Sequence, residues 1–217
     1  MKGLMEKDIR LLLQRKKYYL ILMGCAVFLS FTMDGPFIIS YLTMIGLLLA
    51  LSTVSLDEAD NGLPFIMTMP VSRRDYAVEK HLFGYFTLIA AWVIGMILQL
   101  VTGIVQKQDL QLADTVFSSV LYLGIFAVLL SIMIPIEIRF GIEKSRIASF
   151  VIFGVCFAIG ILGNKIAAAL NIDLAPAIAT IQSIPASTLI ACGVGAAIVI
   201  IGLSILITVG IMNKKEF

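Results

Sequence analysis

Six stretches of this chain are long, apolar and free of Asp, Glu, Lys, Arg and His through their middles: Tyr18–Met33, Phe37–Ser55, Phe83–Val105, Val116–Pro135, Ile147–Gly163 and Thr188–Met212. A run of about 20 such residues as a helix matches the roughly 30 Å hydrocarbon core of a bilayer. Helices keep their backbone hydrogen bonds internal, which is what an environment without water demands. The rest of the composition agrees: 14% of residues are charged, against about 25% in a soluble domain. The sequence predicts an all-α polytopic membrane protein with six transmembrane helices, forming a single domain over residues 1–217. The first run is short, but Lys16 and Lys17 can snorkel to lengthen it. Asp34-Gly35-Pro36 leaves room only for an antiparallel hairpin between the first two spans.

Orientation follows from the basic residues. Of 16 Lys and Arg, 14 fall in segments that alternate topology places on one side, and only Lys107 and Lys165 on the other. Cytoplasmic loops are enriched in Lys and Arg, so both termini are predicted to lie in the cytoplasm. The locale implied is a bacterial cytoplasmic membrane. Before the first span, residues 1–17 form an amphipathic, interfacial helix: Leu4, Met5, Ile9, Leu12 and Leu13 share one face, with Lys2, Glu6, Lys7, Arg10, Gln14 and Lys17 opposite. The "LMGC" at Leu22–Cys25 is a poor lipoprotein cleavage site, because the apolar run continues past the cysteine. Residues 164–187, with Pro176 and Pro185, are too apolar for a solvated loop and too broken for a span. Short re-entrant helices in the outer leaflet are predicted there.

The sequence excludes several chemistries. His81 is the only histidine, so there is no Ser-His-Asp triad and no zinc-binding HExxH; it is placed at the interface where the third span enters. No phosphate-binding P-loop occurs, the nearest match being "GILGNKI" at Gly160–Ile166. Cys25, Cys156 and Cys192 lie in apolar runs without partners at ligand spacing, and no metal site is predicted. Ion-coupled carriers hold ionisable groups inside the membrane, and these spans do not. Energy for uphill transport would have to come from another subunit.

Against this background, the charges between Ser55 and Leu82 stand out. Ser72 and Asp75 form a capping-box variant that starts a helix leading into the third span. Gly62 ends the previous helix, and Pro64 suits a fresh first turn. A short helix over Leu63–Met69, within residues 56–71, is predicted to lie crosswise beneath the membrane. Its apolar residues Leu63, Phe65, Ile66, Met67 and Met69 must press into lipid or into a partner.

"DEADNGLPFIMTMPVSRRDYAVEKHL", Asp57–Leu82, resembles the signature of small ABC-2-type permeases. The opening "MKGLMEKDIRLL" is similar to the start of that family, and "IPIEIRFGIEKSR", Ile134–Arg146, looks like its second cytoplasmic motif. The resemblance implies an exporter of two permease chains and two separate ABC ATPase subunits. This chain would carry no cofactor; ATP and Mg would sit in the ATPase. The segment after the second span would be a coupling helix, with Asp57, Glu58, Asn61, Gly62, Leu63, Phe65, Ile66, Met67, Arg73 and Arg74 as ATPase-coupling residues. Glu143, Lys144 and Arg146 would add a second contact from a loop. Similar permeases export amphipathic or antimicrobial peptides, including cytolytic peptides of the phenol-soluble-modulin kind. The cargo would pass Phe28, Phe31, Phe37, Tyr41 and Met44. Export of a lipid or hydrophobic drug is the runner-up. A stand-alone channel or receptor-like protein and an intramembrane enzyme are the rivals from other classes.

Overall fold

The computed structural model describes residues 2–14, 16–33, 36–59, 62–107, 112–169 and 186–215, and every regular element among them is a helix. In chain order these are α1 (Lys2–Gln14), α2 (Lys16–Thr32), α3 (Phe37–Glu58), α4 (Gly62–Thr68), α5 (Arg73–Val105), α6 (Leu112–Ala169) and α7 (Ala186–Lys214). Four helical segments are long and apolar enough to cross a membrane: Phe37–Glu58, Arg73–Val105, Leu112–Gly141 and Ala191–Lys214. The other two apolar runs are helical as well, in α2 and in the second limb of α6. With 17 residues, α2 reaches about 26 Å.

The bundle is organised around α3, which packs against α5 and the first limb of α6, while α7 lies along α6 and α5. Two glycines set how close α3 and α5 come. A Cβ on Gly46 would stand 2.7 Å from Ala91 Cβ and 3.0 Å from the Thr87 carbonyl, and one on Gly95 would stand 3.0 Å from Ile39 Cα. Without a hydrophobic drive between helices in lipid, such backbone-to-backbone contact is what holds them together. The small-residue pairs Gly154/Ala158 and Ala191/Gly195 make no such contact among the described residues: all four are exposed, and a Cβ on either glycine would meet nothing there within 4 Å. The lipid-facing character shows on α5, where Phe86, Ile89, Val93, Ile97, Val101 and Ile104 form an exposed apolar stripe.

Three sequence expectations change. The fourth span does not stop at Pro135, and the "GIEKSR" segment is not a loop. The helix runs through Pro135, breaks at Gly141, whose φ of 77° is left-handed, and resumes as the second limb. Pro135 has no N–H for the Ser131 carbonyl one turn back, and the Ser204 hydroxyl donates to that carbonyl instead, at 2.5 Å. The stand-in from α7 removes the usual penalty for proline inside a helix. His81, expected where the third span enters, is packed inside the protein. It is fully buried, with Nδ1 2.9 Å from the Ala77 carbonyl and Nε2 2.9 Å from Ser204 Oγ, tying α5 to α7. The third change concerns α1: Lys7 belongs to the face that meets the bundle, with Leu4 and Asp8 buried there, whereas Ile9 and Leu13 are exposed. The predicted hairpin turn keeps only Pro36 within the described residues, and of the outer segment 164–187 the part at 170–185 lies outside them.

Candidate functional site

The middle of α1 and the charged termini of α3, α5 and α7 meet at one end of the bundle. There, α5 begins at Ser72, whose hydroxyl accepts from the Asp75 backbone N–H at 3.0 Å and donates to the Asp75 carboxylate at 2.7 Å. This is the predicted cap. One turn on, Tyr76 and Lys80 face α1 and α3. The Lys80 ammonium lies 2.5 Å from Asp8 and 2.7 Å from Asp57. Lys7 pairs with Asp57 and stands 3.1 Å from Asp8, and the Tyr76 hydroxyl donates to Asp57 at 3.2 Å. Asp8, Asp57, Tyr76 and Lys80 are all buried, and Lys7 is 29% exposed. Two ammonium groups therefore balance two carboxylates out of water, the condition on which a buried ion pair is tolerable. Glu79 is also fully buried, and neither carboxylate oxygen has a hydrogen-bond partner among the described residues.

Further ties close the same end. Lys215 reaches Glu58 at 2.5 Å and the Ile138 carbonyl at 2.7 Å. Arg73 donates to the Met212 and Asn213 carbonyls at 3.1 and 2.8 Å, placing a cation on the C-terminus of α7, where the helix dipole favours it. The Ser55 hydroxyl donates to Glu137 on α6. A Cβ on Gly141 would come within 3.0 Å of Glu58 Oε2, so the break in α6 sits directly against the last turn of α3.

The short α4 hangs from this array. A Cβ on Gly62 would stand 2.8 Å from the Asp57 carbonyl, so the helix starts hard against the end of α3. Its inner side buries Leu63 and Ile66 in the cluster that contains Leu4, Val54 and Tyr76. Its outer side turns Phe65 and Met69 to the surroundings, 64% and 45% exposed. One face of α4 is anchored, and the other is uncovered among the described residues.

The sequence-derived site residues thus divide. Asp57 and Glu58 are engaged in ion pairs within the chain, Leu63 and Ile66 are core, and Met67 is half-buried against it. Phe65 and Arg74 are exposed, and Arg73 is bound to α7. Lys144 is exposed on the second limb of α6; the side chains of Glu143 and Arg146, and Asn61 altogether, lie outside the described residues. On the proposed cargo path, Phe28 and Phe31 face outward from α2. Phe37 and Tyr41 stack at 6.4 Å on α3, and Tyr41 and Met44 line a cleft against α2. Sequence reasoning did not single out Asp8, Tyr76, Glu79 and Lys80. The available signal was Asp8 itself, a carboxylate one turn from Leu4 on the face of α1 that must be covered.

Chemically, this end is a buried array in which Lys7 and Lys80 pair with Asp8 and Asp57, with the unpartnered Glu79 carboxylate beside it. Among the described residues no group of His, Cys, Asp and Glu could hold a metal ion. Such an arrangement ties α1, α3 and α5 together at one end of a polytopic membrane component. The family model for the ABC-2 family transporter protein matches residues 3–213, and the chain belongs to that family. No curated protein and no solved structure matches it. Membership makes this a membrane transport component whose partner is an ABC ATPase subunit.

Proposed function

We propose that the chain is the permease of a bacterial ABC exporter, in which two copies span the cytoplasmic membrane six times each and two ATPase subunits, holding ATP and Mg, dock below. The observation that carries this reading is α4, pinned by Leu63 and Ile66 while presenting Phe65 and Met69 outward. An apolar surface surrounded by charges needs a cover, and the ATPase is the cover proposed. Arg74 and Lys144, both exposed, are the rim charges proposed for the same interface.

The orientation is open to a direct measurement. In a background lacking native cysteines, Met33→Cys and Lys107→Cys should react with a membrane-impermeant thiol reagent added outside, and Arg74→Cys should not. Labelling of Arg74→Cys from outside would invert the topology.

For cargo we propose amphipathic peptides. No charge lies in the middles of the spans to bind an ion or small polar solute, and the outer half of the first hairpin displays aromatic rings and Met44. Permease and ATPase reconstituted together should hydrolyse ATP faster when amphipathic helical peptides are added, in a complex whose mass accounts for two of each subunit. Stimulation by a lipid or hydrophobic drug but not by peptides would reassign the cargo, and a complex with one permease would refute the dimer.

A further inference from the structure

α2 joins the bundle mainly by its second half. Its buried residues are Ala26 and Ser30, and a Cβ on Gly24 would meet nothing within 4 Å. Its first half stands off from α3, leaving a cleft of about 610 Å³ walled by Tyr18, Tyr19, Leu22, Tyr41, Met44 and Leu48 among others. Along α3 the cleft runs from Tyr41 to Ser52, about 16 Å at the helical rise. Its Tyr41 end lies near Phe37, at the start of α3, and its Ser52 end lies toward Asp57 and Glu58. Its walls ask for an apolar, elongated occupant.

The mouth asks for something else. Lys16 and Lys17, the first residues of α2, are exposed and in no ion pair among the described residues. The nearby acids of α3 are already engaged, Asp57 by Lys7 and Lys80, and Glu58 by Lys215. Two uncompensated cations therefore directly precede Tyr18 and Tyr19, which wall the apolar groove. Beside them is Tyr18, 68% exposed, whose hydroxyl can donate a hydrogen bond.

We propose that this cleft binds one anionic phospholipid of the cytoplasmic leaflet, its acyl chain between α2 and α3 and its phosphate on Lys16 and Lys17. The leaflet assignment rests on the orientation proposed above. A zwitterionic lipid fills the groove equally well but brings a choline to a doubly cationic mouth. A second copy of the chain would present its own lysines there. Each lysine near an anionic surface is worth about fivefold in binding, so the pair confers about 30-fold.

Native mass spectrometry of the full-length permease, exchanged into mixed phosphatidylglycerol and phosphatidylcholine, tests the proposal without the ATPase, so it fails or succeeds apart from the exporter reading. The wild type should retain one phosphatidylglycerol per chain in preference to phosphatidylcholine. Lys16→Gln with Lys17→Gln, both at exposed positions, should weaken that retention about 30-fold. Leu48→Trp should abolish it with both lysines in place, by filling the groove. Equal retention of the two lipids by the wild type, or undiminished phosphatidylglycerol on the double variant, would overturn the site. So would efficient cross-linking between two Leu48→Cys chains, which would put a second copy in the cleft.

Discussion

Lys80→Met should lower the stability of the solubilised permease by about 3–5 kcal/mol, the usual cost of breaking a buried ion pair from one side. The lysine is fully buried between Asp8 and Asp57. Methionine fills much of the same volume, so the loss is electrostatic: two buried carboxylates are left to the half-accessible Lys7, with Glu79 alongside. The same reasoning predicts recovery when the array is neutralised as a unit. Lys80→Met combined with Asp8→Asn and Asp57→Asn removes the stranded charges, and replacing a whole buried ion cluster is often neutral or stabilising. Denaturant unfolding of the three proteins separates the cases. A wild-type midpoint for Lys80→Met alone would mean that the array contributes nothing and that water reaches these groups freely.

How much of this end could be read in advance depended on the kind of interaction. Ser72 and Asp75 act within one turn, so the cap was legible from spacing, and the structure supplies it. The existence of a short helix here was legible for the same reason, bracketed by Gly62 and Pro70, with Leu63 and Phe65 recognisable as apolar residues among charges. What could not be read was the division of labour on α4. Whether Leu63 or Phe65 faces outward depends on how the helix rolls against its neighbours, among them Leu4 of α1, 59 positions away in sequence. The ion array is of that type too, since Asp8, Asp57 and Lys80 come from three helices. Pro135 shows the opposite failure. Read locally it ends a helix, but Ser204, far along the chain, supplies the missing donor and the helix continues.

Phe65→Asp and Leu63→Asp should both abolish transport, for different reasons that two measurements tell apart. Phe65 is 64% exposed on the outer side of α4, so an aspartate there remains hydrated in the free permease and should leave its unfolding midpoint within experimental scatter. In the proposed complex the same aspartate would be desolvated against the ATPase, where the wild type places an aromatic anchor. Losing an interface aromatic of this kind costs about 2 kcal/mol or more, at least about 30-fold in affinity, and the ATPase should no longer copurify. Leu63 is 2% exposed and packs in the cluster with Leu4, Val54 and Tyr76. A carboxylate there has no partner inside the chain, so Leu63→Asp should lower the unfolding midpoint and the yield before any ATPase is added. Arg74→Glu, at an exposed rim position, should weaken ATPase binding by no more than about fivefold. Retention of the ATPase by a stable Phe65→Asp permease would remove the outer face of α4 from the interface. The docking surface would then have to lie elsewhere, with the second limb of α6 around Lys144 as the next place to look.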